Sequence, residues 1–153
     1  MGNISAANSV NVLGTPLRDA VALVTGGSRG IGKAIALRLA ALGAAVSICS
    51  RDKEKLIISS RELEAAGARV LARAADVTKE AEIRALVDAT EKQFGGITIL
   101  VNNAGTGGGG FGAIQEKSGE EWDQVMNTNL KSVFFVSRAV IPGMIQRRGG
   151  DII

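Results

Sequence analysis

The sequence predicts an α/β fold, a doubly wound parallel sheet with helices on both faces, and three observations carry that expectation. Short apolar runs alternate four times with amphipathic segments at a spacing of about 25 residues, which calls for right-handed crossovers back to one parallel sheet. The core must be aliphatic, because the chain is 46% hydrophobic but only 3% aromatic, as is usual where helices pack on a parallel sheet. Every glycine-rich or polar motif falls at the C-terminal end of an apolar run, which is where ligands of such sheets bind. At 153 residues the chain is long enough for one domain with a real core.

Residues 1–18 show no periodicity and end in Gly14-Thr15-Pro16, so a flexible leader is expected ahead of a domain spanning 19–153. The first strand lies at about 20–24. Thr25-Gly26-Gly27-Ser28-Arg29-Gly30-Ile31-Gly32 follows, and then a segment with Ile31, Ile35, Leu39 and Leu42 on one face. That order reads as strand, tight glycine turn and helix. A helix N-terminus offers unpaired N–H groups and a positive dipole end, which suit a pyrophosphate, and glycines let the backbone approach it. The spacing is G-x-x-x-G-x-G, so the generic G-x-G-x-x-G fingerprint is only half met.

Ala45–Cys49 forms a second strand, and a helix from about Asp52 to Ala66 stops at Gly67. Val70-Leu71-Ala72 sits in the third strand. Thr78 is expected to cap a third helix with Glu80 and Glu82 in its first turn and Ile83, Leu86, Val87 and Phe94 on its apolar face. Ile97–Val101 forms the fourth strand and breaks at Asn102-Asn103-Ala104-Gly105, ahead of a mobile glycine loop, Gly107 to Gly110. Ser118 and Glu121 make a capping box opening a long helix to about Ile141, ended by Pro142. Asp151-Ile152-Ile153 begins a fifth strand.

Composition excludes several function classes. The net charge is only +3, and Lys and Arg are not gathered with aromatics into a patch, so no nucleic-acid partner is expected. No run is apolar enough to span a bilayer, and the first residues lack a basic signal region. Met1-Gly2 is followed by Ala6 where a myristoylation signal wants Ser or Thr, so no lipid anchor is expected. The single cysteine, Cys49, reads as a small buried hydrophobe and leans towards a cytoplasmic setting. The sequence has no Tyr and no His, which removes two common catalytic acids or bases. No residue is assigned to a metal.

The end of the second strand bears on which dinucleotide fits. An acid about 20 positions past the glycine turn would hold the ribose hydroxyls of NAD. Here Ser50 takes that slot and Arg51 follows. A guanidinium pairs with the 2′-phosphate of NADP, which an acid would repel. Arg29 reaches the same phosphate from the other side. The alternative is two solvated arginines with Asp52 as the ribose acid, although Asp52 also suits the cap of the second helix. Asp76 and Val77 fit against an adenine, or form a simple turn. Asn103, Ala104 and Gly105 combine small residues with an amide where the nicotinamide-side ribose would lie, and Asn-rich turns are also common. Asn129 falls on a stripe of Trp122, Val125, Met126, Val133 and Val140 at helical spacing. A buried amide there is either functional or a satisfied structural group.

Together, T-G-x-x-x-G-I-G, Ser50-Arg51, Asp76-Val77, Asn102-Asn103-Ala104-Gly105 and Met126-Asn127-Thr128-Asn129-Leu130 resemble the short-chain dehydrogenase/reductases. Within that family the chain resembles the 3-oxoacyl-acyl-carrier-protein reductases and related ketoreductases, from about Ala20 to Ile153. The resemblance implies a Rossmann-type fold and hydride transfer between NADP(H), with NAD(H) as the lesser fit, and a small carbonyl or alcohol substrate. It assigns the cofactor phosphates to Gly26, Ser28, Arg29, Gly30, Ile31 and Gly32, the 2′-phosphate to Arg51 with Ser50, and the adenine to Asp76 and Val77. The nicotinamide-side ribose falls to Asn103, Ala104 and Gly105. Asn129 matches the family's catalytic asparagine, which helps to hold a water and the active-site lysine. A homo-oligomer is implied for the complete protein, with Phe135 or Arg138 near an interface.

The family's chemistry also needs a Ser after the fifth strand and a Tyr-x-x-x-Lys on the next helix. The sequence holds neither, and the expectation is that it is the N-terminal part of such an enzyme, inactive alone. Two other readings stay open, a non-catalytic dinucleotide-binding or interaction module and a sugar or polyol dehydrogenase of the same family.

Overall fold

The apolar runs form five parallel strands: β1 (Val21–Thr25), β2 (Ala45–Ser50), β3 (Val70–Ala74), β4 (Ile99–Val101) and β5 (Asp151–Ile152). They lie in the order β3-β2-β1-β4-β5 in a computed structural model that describes residues 15–108 and 112–153. Most of the expected leader, and Gly109 and Gly110 of the expected loop, lie outside the described residues.

From β1 the chain steps outward, Val21 pairing with Ala45 on β2 and Val46 with Val70 on β3. It then crosses back, so that β4 lies on the other side of β1 with Leu23 opposite Leu100. Strand order therefore reverses at β1, and the gap between the C-terminal ends of β1 and β4 is the natural ligand site of such a sheet.

Alternation along β1 and β2 feeds two apolar layers. Ala22, Val24, Val46 and Ile48 face α1 (Gly30–Ala41) and α2 (Lys53–Ala65), where Ala36, Leu56 and Leu63 close the core. Leu23, Ala45 and Leu100 face the opposite side, against α3 (Glu80–Phe94) and α5 (Ser132–Arg147), which supply Ile83, Leu86, Val136 and Val140. Both faces of the sheet are thus covered.

Three local expectations are corrected. Thr78 does not cap α3; Lys79 stands at that position, and the Thr78 hydroxyl instead donates to Asp76 Oδ1 at 2.8 Å. The glutamates expected in the first turn are there. Pro142 does not end the last helix, which runs on to Arg147. Burial of Val140 and Met144 and the 2.7 Å bond from Arg147 Nη2 to the Ile97 carbonyl hold the helix beyond the proline, so packing outweighs the lost backbone bond. The long helix is also not continuous. After α4 (Gly119–Met126), capped by the expected Ser118–Glu121 box, a π-turn spans Asn127–Lys131 before α5. Ser132 N–H reaches back five residues to the Asn127 carbonyl, while the Ser132 hydroxyl takes the Thr128 carbonyl at 2.5 Å. A side chain inserted into the ladder is a recognised cause of such a bulge.

Candidate dinucleotide-binding cleft

The glycine turn joins β1 to α1 because its backbone must do what a side chain forbids. Gly30 sits at φ +54°, and a Cβ at Gly32 would stand 2.5 Å from the Gly26 carbonyl oxygen. Arg29 is at the N-cap of α1 but makes no side-chain cap, and the first turn holds no acid. The leading N–H groups of α1 are therefore left for an anion, with no carboxylate to repel it.

The second wall comes from β4. Asn103 Nδ2 donates to the Thr25 carbonyl at 2.9 Å, and the Thr25 hydroxyl oxygen accepts the N–H groups of Asn103 and Ala104. The turn after β4 is thus tied to the start of the glycine turn.

The third wall is the end of β2. The hydroxyls of Ser28 and Ser50 are 2.9 Å apart, and the Asp52 N–H donates to Ser50 Oγ at 3.2 Å. Arg29 and Arg51 are exposed beside them. Asp52 is occupied elsewhere, capping α2 by accepting Lys55 N–H at 3.0 Å and pairing with Lys55 Nζ at 2.7 Å. Those contacts, the Lys55 side chain first, hold its carboxyl below the usual range. Its alternative role as ribose acid therefore has no support in the geometry.

Asp76 closes the cleft after β3. Burial works against its charge, but the Thr78 N–H at 2.9 Å, the Thr78 hydroxyl and the charge of Arg51 outweigh it and lower its pKa. The carboxylate is consequently ionised and held in a turn.

All the residues assigned from sequence to the cofactor, namely Gly26, Ser28, Arg29, Gly30, Ile31, Gly32, Ser50, Arg51, Asp76, Val77, Asn103, Ala104 and Gly105, line this one cleft of about 460 Å³. Three lining residues were missed: Cys49, Ala75 and Thr128. Cys49 was legible from strand register, since it pairs with Thr25 at the end of β1. Thr128 was not, because the π-turn turns it inward.

The same turn corrects the expectation for Asn129. Its side chain is exposed rather than buried, and the buried face is Thr128, Ser132, Val136, Val140 and Met144. Trp122, expected on the packed stripe, is 56% exposed. Asn129 Oδ1 accepts the Thr106 N–H at 2.8 Å and Nδ2 donates to the Thr106 carbonyl at 2.9 Å. The amide lies beside Gly105 at the rim of the cleft, with both of its ends engaged by one backbone residue. Among the described residues no cluster of His, Cys, Asp or Glu is placed to hold a metal, and no helix is long and apolar enough to cross a membrane.

The family model described as short chain dehydrogenase matches residues 20–153. A Streptomyces violaceoruber protein described as a ketoacyl reductase of the granaticin polyketide synthase is 47% identical over 135 residues, 87% of this chain and 49% of that protein. A metagenomic short-chain oxidoreductase solved with NADP superposes with a TM-score of 0.84 at 41% identity, over 90% of this chain and 62% of that one. A short-chain dehydrogenase/reductase from Burkholderia phymatum solved with NAD also gives 0.84, at 34% identity, over 90% of this chain and 48% of that one. The chain spans about half the length of the curated relatives it matches.

Proposed function

We propose that this chain, which belongs to the short-chain dehydrogenase family, binds NADP(H) in the cleft between β1 and β4 as part of a ketoreductase. The observation that carries the reading is the convergence of every residue assigned from sequence to the cofactor on that one cleft. The uncapped, acid-free N-terminus of α1 fits a pyrophosphate, and Gly30, Ile31 and Gly32 present its backbone. Arg29 and Arg51, exposed beside Ser28 and Ser50, fit a 2′-phosphate. Asp76 and Val77 stand where an adenine would be held, and Asn103, Ala104 and Gly105 where the nicotinamide-side ribose would be. Asn129 keeps the loop at Thr106 in place beside Gly105.

When bound, the nicotinamide supplies or accepts the hydride. The chain's own residues bind and orient it, but with no Tyr they lack the tyrosine that the family resemblance calls for as general acid. We therefore expect the 153-residue polypeptide to bind the dinucleotide without reducing a ketone, and the domain at 19–153 to be the cofactor-binding part of the enzyme. A 3-oxoacyl-like substrate for the complete protein is supported by the Streptomyces violaceoruber relative, a homo-oligomer by the family resemblance, and a cytoplasmic setting by the single cysteine, Cys49.

Calorimetric titration with NADPH and NADH, followed by a turnover assay with a 3-oxoacyl thioester, tests the reading. Binding of NADPH more tightly than NADH without turnover is expected. Failure to bind either cofactor overturns the assignment of the cleft, and NADPH consumption above a blank overturns the expectation that the polypeptide is inactive.

A further inference from the structure

Beneath the end of β2 runs a chain of hydrogen bonds that begins at Ser59. This residue lies in the middle of α2 and is fully buried. A mid-helix serine commonly turns to water or back to its own helix. Ser59 instead donates to the Ser28 carbonyl in the glycine turn at 2.8 Å. The Ser28 hydroxyl meets that of Ser50, and Ser50 Oγ accepts the N–H of Asp52, the cap of α2. The chain of bonds thus closes on the helix that carries Ser59, locking together the glycine turn, the end of β2 and the start of α2.

The Ser28 and Ser50 hydroxyls carry two protons and spend one between them, whichever of them donates. The pair consequently keeps one O–H for a further acceptor. Arg29 adjoins Ser28, and Arg51 adjoins Ser50. A group that accepts from a hydroxyl and from two guanidiniums at once is a phosphate monoester rather than a ribose diol.

We infer that Ser59 is a positioning residue for the 2′-phosphate of NADP(H): it holds the Ser28 carbonyl and so orients the Ser28–Ser50 hydroxyl pair and the arginines beside it. The inference rests on the cleft binding NADP(H) as proposed above. Ser59 is fully buried and does not itself line the cleft. Its effect falls on the discrimination between the two dinucleotides, whose shared parts are held by α1 and the turn after β4.

The test is calorimetric titration of the 153-residue chain and its Ser59→Ala variant with NADPH and NADH separately, together with ligand-free melting. Loss of one internal hydrogen bond should weaken NADPH by about fivefold while NADH changes by less than about twofold. Ser59→Thr, which keeps the hydroxyl, should restore the selectivity. Equal weakening of both cofactors, or of neither, overturns the role of Ser59. If Ser59→Ala does not melt cooperatively, Ser59→Cys, which keeps the size but donates only weakly, takes its place and must show the same selective loss; an equal loss there overturns the inference too. A wild-type chain that binds neither dinucleotide overturns the cleft assignment itself, and this role with it.

Discussion

The Thr25 hydroxyl oxygen stands 3.0 Å from the backbone nitrogen of Asn103, and the Asn103 side chain returns a bond to the Thr25 carbonyl at 2.9 Å. Two strand ends separated by more than seventy residues are clamped where strand order reverses. The same hydroxyl accepts the Ala104 N–H at 3.0 Å and donates to the Val101 carbonyl at 3.3 Å.

Replacing Thr25 by the isosteric Val keeps the packing and removes that acceptor. The Ala104 N–H then loses its partner at a site where Thr25 is only 2% exposed, while the Asn103 N–H keeps the Val101 carbonyl at 3.1 Å. Thr25→Val should destabilise the fold by about 1–3 kcal/mol. Urea unfolding with an unchanged m-value and a lower midpoint is the expected result.

The two glycines at the start of α1 should respond differently to alanine. Gly30→Ala meets no atom within 4 Å but must hold φ near +54°, at about 1–2 kcal/mol for an L-residue. Gly32→Ala drives a Cβ against the Gly26 carbonyl oxygen, which is backbone and cannot step aside. Both variants should weaken NADPH, because both glycines line the cleft, and Gly32→Ala should melt lower than Gly30→Ala.

Arg51→Asp puts a carboxylate where the proposed 2′-phosphate lies. NADPH should weaken by about tenfold or more, equivalent to about 1.4 kcal/mol per decade, while NADH holds or improves. Equal affinities before and after the change would remove Arg51 from the site.

Burial pushes the Cys49 thiol up to about 11, against a lesser opposing contact with the Gly26 backbone. The folded state therefore keeps a proton that the unfolded state releases near the ordinary thiol value. Stability from this group is full at neutral pH and declines as pH rises through the window up to about 11, at about 1.4 kcal/mol per pH unit. Melting temperatures taken between pH 8 and 10.5 should fall more steeply for the wild type than for Cys49→Ala, whose baseline is lower because of the cavity it leaves.

Much of the cleft was legible because its residues sit at strand ends, where local signals agree. The glycine turn, the Ser50-Arg51 pair and the turn from Asn102 to Gly105 each follow an apolar run, and a parallel sheet brings such ends together without further instruction. Where the reading failed, a tertiary contact had overridden a local rule. Pro142 ought to stop a helix, yet Arg147 and Met144 find partners only if it continues. Thr78 ought to cap α3, but its hydroxyl serves Asp76.

By itself the sequence determined the parallel α/β fold, the family and the location of the cleft, because periodicity, turn chemistry and strand order are written in local spacing. Only the tertiary structure decided what each polar group is paired with. It gave Asp52 to Lys55, turned Thr128 inward and Asn129 outward through the π-turn, and joined Ser59 to Ser28 across 31 residues. The physical reason is that a hydrogen bond depends on which donor and acceptor come within about 3 Å, and that distance is set by packing rather than by separation along the chain.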